Sequence, residues 1–451
     1  MKFKIHYLPA KRSAIFYSFT VVVLLSIFNI SCKQEKRVTD INDVNILHNN
    51  QDKLTEVIIY DVFTPPVASR IYVYSSLASY EAIRFSKKNA VSIAEQLNGF
   101  GKMPQPENGK SYNYLLASTK AFFTVVRNVK VFSVDSLKKY EDRVYGDFKD
   151  NLDDSTYERS IAFGDTVGKA ILKRAKNDGY LTSRGKSKYI GSNDPGKWRP
   201  TPPDYMDGVE WCWNTMKPMI LDSASQFMPP RPPVFSTDTN SVFFKQVREV
   251  YTISKNLTEE QKIIARYWDD NPFVMEHSGH LMFANKKITP GGHWMGIAAI
   301  ACRQSKVDAV EAARAYAVTA IALYDAFISC WDEKYRSNYI RPITVINESI
   351  DQSWTTYLQT PPFPEYTSGH STITRSAATV LTKVFGDNYA FQDTSDLRYI
   401  GLQRHFNSFV RAADEASISR VYGGIHYMNS VNEGANCGRK VGELIIQKLK
   451  L

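Results

Sequence analysis

The chain has 451 residues, 43% of them hydrophobic and 23% charged, which excludes a mainly disordered or fibrous protein. Five cysteines in that length exclude a disulfide-dense scaffold. The net charge of +10 includes Lys2, Lys4, Lys11 and Arg12; without those four the balance is +6, and the remaining Lys and Arg are scattered rather than striped, so no nucleic-acid partner is expected.

Residues 1–31 read as an export signal. A basic start (Lys2 to Arg12) precedes 17 uncharged, mostly apolar residues from Ala14 to Ile30. The segment closes on Ser31-Cys32, which resembles a bacterial lipoprotein cleavage site, with Asn29 where Leu is usual. Cys32 is then a candidate lipid anchor, and the body is expected in the periplasm or at the outer membrane or cell surface. The four other cysteines, Cys212, Cys302, Cys330 and Cys437, fit no metal-ligand spacing and read as buried thiols.

A polar tether is expected over 32–53, then helical text. Apolar residues recur at helical spacing over Leu54–Phe63, Val67–Phe85, Tyr112–Val129, Val134–Leu152 and Ser155–Asp178. Residues 179–237 differ, with Pro-dense runs at 198–203 and 229–233 that forbid helix; Trp211 and Trp213 mark this crossing as packed. Helical text resumes at Ser241–Ser254, and Thr258 with Gln261 forms a capping-box start for a helix reaching Tyr267-Trp268. A His-bearing, Gly-rich stretch from Met275 to Trp294 follows. Further helices are expected over about Val307–Asp332, Ser371–Phe385, Ala412–Tyr422 and Asn432–Leu449. Alternating β-branched runs are scarce. The fold class is all-α, in two helical bundles: 54–240 with the Pro/Trp-rich crossing, and 241–451. The body is expected to be monomeric.

Three segments of the C-terminal third carry chemistry. Lys334 and Arg341 sit at the end of a long helix and just beyond it, before Pro342. Ser368-Gly369-His370 opens a helix, where free N–H groups and the dipole favour an oxyanion and Gly369 permits close approach. Arg420 ends a helix that Gly423-Gly424 break, and the turn delivers His426. This inventory suits a multiply charged oxyanion with forked donors for its oxygens. It holds no carboxylate cluster for Mg²⁺ or Ca²⁺ and no Cys/His cage for Zn²⁺.

Lys-x6-Arg-Pro, Ser-Gly-His and Ser-Arg-x5-His in this order resemble the superfamily of vanadium-dependent haloperoxidases and type 2 phosphatidic-acid-phosphatase-like acid phosphatases. Thr64-Pro-Pro-Val-Ala-Ser-Arg-Ile-Tyr and the Pro/Trp stretch look like the bacterial iodoperoxidase branch. The resemblance implies two four-helix bundles around one anion site, vanadate as cofactor, and hydrogen peroxide and halide as substrates. It implies His426 as the nitrogen ligand to vanadium, with Lys334, Arg341, Ser368, Gly369 and Arg420 holding the vanadate oxygens. His370 would handle the protons of peroxide, Lys334 would polarise it, and Trp331 and Phe363 would shape the halide side. The implied activity is halide oxidation, iodide first and bromide second, to a hypohalous species. The alternative on the same scaffold is an acid phosphatase with His426 as the phosphohistidine nucleophile.

Two positions depart from the pattern. Thr367 stands where Pro usually precedes Ser-Gly-His. Ser430 stands where many members have an Asp that orients the ligand His, so Glu433, a backbone carbonyl or Ser430 itself would have to serve. His277, His280 and His293, with Asp269 and Asp270, are candidates for the pocket entrance, and the segment around Phe273 for the halide side, with ordinary packing the plainer reading. His48 and His405 read as surface or core residues.

Overall fold

The structure, a computed structural model, describes residues 40–451 apart from Lys130, Phe273, Gly279 and Asn285, and omits the side chains of 275–278 and 281–284. The export segment, Cys32, Phe273 and the His277 side chain thus lie outside what is described. Residues 41–451 form one compact unit.

Fifteen α-helices and two short antiparallel ribbons occur among the described residues. The first half holds α1 (Asn45–Tyr60), α2 (Pro65–Ile83), α3 (Tyr114–Asn128), α4 (Val134–Lys149), α5 (Asp154–Ala175) and the short α6 (Tyr180–Arg184). After the crossing come α7 (Val242–Lys255), α8 (Glu259–Tyr267), a ribbon of β1 (Met275–Ser278) and β2 (Leu281–Ala284), and α9 (Pro290–Ser305). Then follow α10 (Ala309–Ser337), α11 (Pro342–Ser349), α12 (Gly369–Phe385), β3 (Phe391–Asp393), α13 (Leu397–Ile400), β4 (Arg404–Phe406), α14 (Phe409–Tyr422) and α15 (Met428–Leu449).

Helix starts follow local chemistry. Thr64, Asn113, Asp153, Ser241, Asp308 and Ser368 each accept a hydrogen bond from a first-turn N–H, and Thr258 with Gln261 makes the expected reciprocal pair. The 29-residue α10 is buried along nearly its whole length and organises the molecule. It packs on α2 from one side and on α12 and α15 from the other; α3 joins α2 to α5, and α12 joins α14 to α15. The closeness of α15 to α12 depends on Gly434, Gly438 and Gly442. A Cβ at Gly434 would come within 2.8 Å of the Ser368 carbonyl, and one at Gly438 would overlap the Thr372 carbonyl. That contact sets the start of α12 against the turn that carries His426.

The crossing is folded onto α10. Trp198 and Trp213 are fully buried. The backbone N–H groups of Met219, Ile220 and Leu221 all donate to the Asp325 carboxylate, at 2.7, 2.7 and 3.0 Å.

Three features differ from the sequence reading. The tether does not run to residue 53: α1 begins at Asn45, and Leu47 and His48 are buried, with His48 Nδ1 2.6 Å from the Tyr316 hydroxyl. The Gly-rich stretch at 290–294 begins a helix, α9. Thr289 caps it and Pro290 supplies the first position, which offsets two glycines. Gly292 is needed there, because a Cβ would meet Ile288 at 2.9 Å and the Tyr72 hydroxyl at 3.0 Å. Pro342 both follows α10 and opens α11, which periodicity over eight residues does not reveal.

Candidate active site

The three segments converge where the C-terminal end of α10 meets the N-terminus of α12 and the α14–α15 turn. A cavity of about 40 Å³ lies there, lined by Trp331, Phe363, Gly369, His370, Arg420 and His426 among others, with Asp269, Asp270 and Asn271 on one side. A single water needs about 10–15 Å³, so the space takes a small oxyanion.

Arg341 is fully buried. Its Nε donates to the Phe363 carbonyl at 3.0 Å and its Nη1 to the Ile425 carbonyl at 2.7 Å, while Nη2 has no partner. A buried guanidinium nitrogen without an acceptor is costly, and an anion would relieve it. Arg420 is held by the Trp268 carbonyl at 2.6 Å and by Ser419 Oγ at 3.0 Å. Burial lowers both guanidinium pKa values, that of Arg341 to about 10.

Lys334 is fully buried at the end of α10. Its three donors go to the carbonyls of Pro364, Glu365 and Thr367, at 3.0, 3.2 and 2.6 Å. It stands immediately behind Gly369: a Cβ there would lie 3.8 Å from Lys334 Cε and 3.7 Å from the Trp331 ring. Lys334 therefore shapes the 364–367 loop and contributes charge at close range. Both Lys334 and Arg341 lie against the Phe363 ring, at 4.9 and 5.2 Å from its centroid. Ser368 caps α12, and its Oγ accepts from the Ser371 N–H and hydroxyl.

Burial lowers the Lys334 ammonium to about 8, with Cys330 and Glu365 opposing and Arg341 assisting. Its charge is thus present below that pH and lost above it. Affinity for an oxyanion is expected to fall as pH rises through about 8, and Lys334→Gln to flatten that alkaline limb. Equilibrium dialysis against vanadate across pH measures both.

His426 answers the question left by Ser430. Its Nδ1 lies 2.7 Å from Glu365 Oε1, which also accepts from the Tyr427 backbone N–H at 3.1 Å. Ser430 Oγ is at 3.5 Å, in a supporting position, and Glu433 is not the partner. With Glu365 accepting a hydrogen bond from Nδ1–H, the lone pair is on Nε2, which accepts from Arg341 Nη1 at 3.3 Å. Burial and then Arg341, Lys334 and Arg420 push His426 well below the usual imidazole range, so the ring is neutral. Burial raises Glu365 to about 7 against the pull of Arg341 and Lys334.

His370, in the first turn of α12, has Nε2 3.5 Å from Asp270 Oδ2. Burial and Arg420 lower it to about 4, so it is a neutral base at neutral pH. Asp270 belongs to a second buried cluster. His293 is fully buried, stacked on Trp268 at 4.5 Å. Its Nδ1 lies 3.1 Å from Asp270 and 3.6 Å from Asp396, and its Nε2 lies 3.0 Å from Asp393. Asp269 faces the cavity and pairs with Lys287 at 2.5 Å. His280 is exposed on the ribbon turn, and the four described cysteines are buried and free.

A solved structure described as the first bacterial vanadium-dependent iodoperoxidase is 44% identical to the chain, covers 90% of it and 96% of its own length, and superposes with a TM-score of 0.85. The chain belongs to the vanadium-dependent haloperoxidases. A family model for the second helical-bundle domain of these enzymes matches residues 314–451. Holo and apo structures of a bacterial vanadium-dependent chloroperoxidase share the fold, at 19% identity, 86% of this chain, 93% and 94% of theirs, and TM-scores of 0.66 and 0.68. No curated protein sequence matches.

As a haloperoxidase the chain uses vanadate with peroxide and halide. The site fits that group: Gly369, Arg420 and the neutral His426 line the cavity, and beside His426 the buried Arg341 has an unpartnered Nη2.

Proposed function

We propose that this haloperoxidase oxidises iodide in preference to bromide and chloride. The likeness to an iodoperoxidase over nine-tenths of the chain carries this reading. His426 Nε2 would be the ligand to vanadium, and Lys334, Arg341, Ser368, Gly369 and Arg420 would hold the oxygens and offset their charge. Vanadate held there supplies a Lewis acid at which peroxide becomes an oxidant for halide. His370, neutral and at the cavity wall, is placed to take a proton from incoming peroxide. Trp331 and Phe363, with ring centroids 5.1 Å apart, form an apolar wall that keeps water from the halide side.

Steady-state oxidation of the three halides by the vanadate-loaded body tests the reading. Iodide turnover should exceed that of bromide, with chloride inert; bromide or chloride turning over as fast as iodide would refute it. We also propose that the chain is exported and anchored through Cys32, on the basic and apolar pattern of residues 1–32. Detergent phase partition of the full chain should move to the aqueous phase on Cys32→Ala. Equal partition of both forms would remove the anchor.

A further inference from the structure

The haloperoxidase assignment uses His370 but leaves unexplained the buried cluster behind it. Four ionisable groups meet there from distant parts of the chain: Asp270 after α8, His293 in the first turn of α9, Asp393 at the end of β3, and Asp396. All are buried, His293 and Asp393 completely. A neutral imidazole carries one N–H and cannot donate on both sides, yet both His293 nitrogens face carboxylates. The ring is therefore an imidazolium, consistent with its titration lying well above the usual range against the effect of burial.

The orientation of Asp270 has a direct consequence. Oδ1 is taken by His293, while Oδ2 is aimed at His370 and has no other partner. A carboxylate on the Nε2 side of His370 places the ring proton there and leaves Nδ1 as the base. At 3.5 Å the neutral ring and the carboxylate stand at the outer limit of a hydrogen bond, a length usual for catalytic contacts before substrate binds. The same segment supplies the Trp268 carbonyl that holds Arg420, and the Trp268 ring is the surface on which His293 stacks.

We propose that His293 is a positioning residue for His370: clamped by Asp393 and Asp396, it fixes Asp270 so that Oδ2 holds the Nε2 side of the His370 ring and thereby selects the tautomer that accepts the proton of peroxide. This inference rests on the haloperoxidase reading only for the identity of that proton.

Two substitutions separate this role from packing. In His293→Gln the amide nitrogen can occupy the place of Nε2, keeping a donor to Asp393 and losing the one to Asp270. In His293→Asn the amide nitrogen can occupy the place of Nδ1, keeping Asp270 and losing Asp393. The readouts are the ¹⁵N ring shifts of His370 in the vanadate-free protein, kcat and KM for halide, and the melting temperature. His293→Gln is expected to mix the His370 tautomers and lower kcat by roughly 10–100-fold, the usual cost of losing an orienting partner, with KM for halide unchanged. His293→Asn should restore the single tautomer and most of kcat. In an Asp270→Asn background, His293→Gln should add no further loss, because it acts through Asp270. Unchanged His370 shifts in His293→Gln, equal losses in the two His293 variants, or additive losses in the double variant would each overturn the proposal. If neither His293 variant folds, Asp393→Asn takes their place: shifted His370 signals support the clamp and unchanged signals overturn it. The ring shifts need no turnover, so a wild-type protein that oxidised no halide would fail the functional reading while leaving this test intact.

Discussion

Glu365→Ala is expected to lower the stability of the vanadate-free protein by about 3 kcal/mol and to weaken vanadate binding by roughly 10–100-fold. The carboxylate is fully buried and takes two donors, the His426 ring N–H and the Tyr427 backbone N–H. Alanine strands both, at about 1–3 kcal/mol each, and removes the anion nearest to Lys334 and Arg341. It also frees the His426 tautomer, so Nε2 no longer presents a lone pair in every molecule. Glu365→Gln is the informative control, because its carbonyl oxygen still accepts from either donor; it should recover most of the stability and only part of the affinity. The pH dependence has a definite sign. The folded-state pKa is raised from 4.5 to about 7, so this stability contribution is fully present below about 4.5 and is lost as pH rises through about 7. The glutamine variant should lack that slope in denaturant titrations of the vanadate-free protein. An unchanged slope and unchanged vanadate affinity would show that Glu365 does not orient the ligand.

His426→Ala and His370→Ala are expected to fail in different ways. His426 offers its Nε2 beside Arg341, whereas the other neutral imidazole of the pocket, His370, is turned with its Nε2 toward Asp270. Its alanine variant should lose vanadate binding by more than Glu365→Ala does, and halide oxidation with it. His370 stands at the wall, neutral, and its proposed task is proton transfer rather than holding an anion. Its alanine variant should keep vanadate affinity close to the wild type while kcat falls about 10²–10⁴-fold. Vanadate binding by dialysis beside peroxide-dependent iodide oxidation separates the two. Equal loss of affinity in both variants would mean that His370 is an anchor and not the base.

The residues proposed to meet the anion were legible because each sits at a chain punctuation mark. Arg341 precedes a helix-opening proline, Gly369 opens α12 and His426 follows a double-glycine turn. Helices with strong 3.6-residue periodicity were legible for the same local reason. Glu365 was not, although a signal exists: it is the one charge in Pro361-Pro-Phe-Pro-Glu-Tyr-Thr367, a run otherwise suited to burial. A carboxylate in such a run needs donors, and the nearest in space lie about sixty residues away, which no local pattern encodes. The cluster around His293 was hidden in the same way, since Asp270, Asp393 and Asp396 are brought together only by the packing of α9 under β3. α9 itself was obscured by two glycines, of which close contact with Tyr72 and Ile288 requires Gly292.

The crossing has a bearing on redesign. The Val209 carbonyl accepts from both the Trp331 indole N–H, at 3.1 Å, and the Tyr335 hydroxyl, at 2.7 Å. A wall of the halide side is thus fastened by a backbone oxygen from a segment more than a hundred residues upstream. Exchanging Trp331 alone would remove one of the two donors and leave Tyr335 as the remaining tie to that oxygen. The indole and residues 208–210 are therefore one heritable unit, to be recombined together when halide preference is the trait being bred.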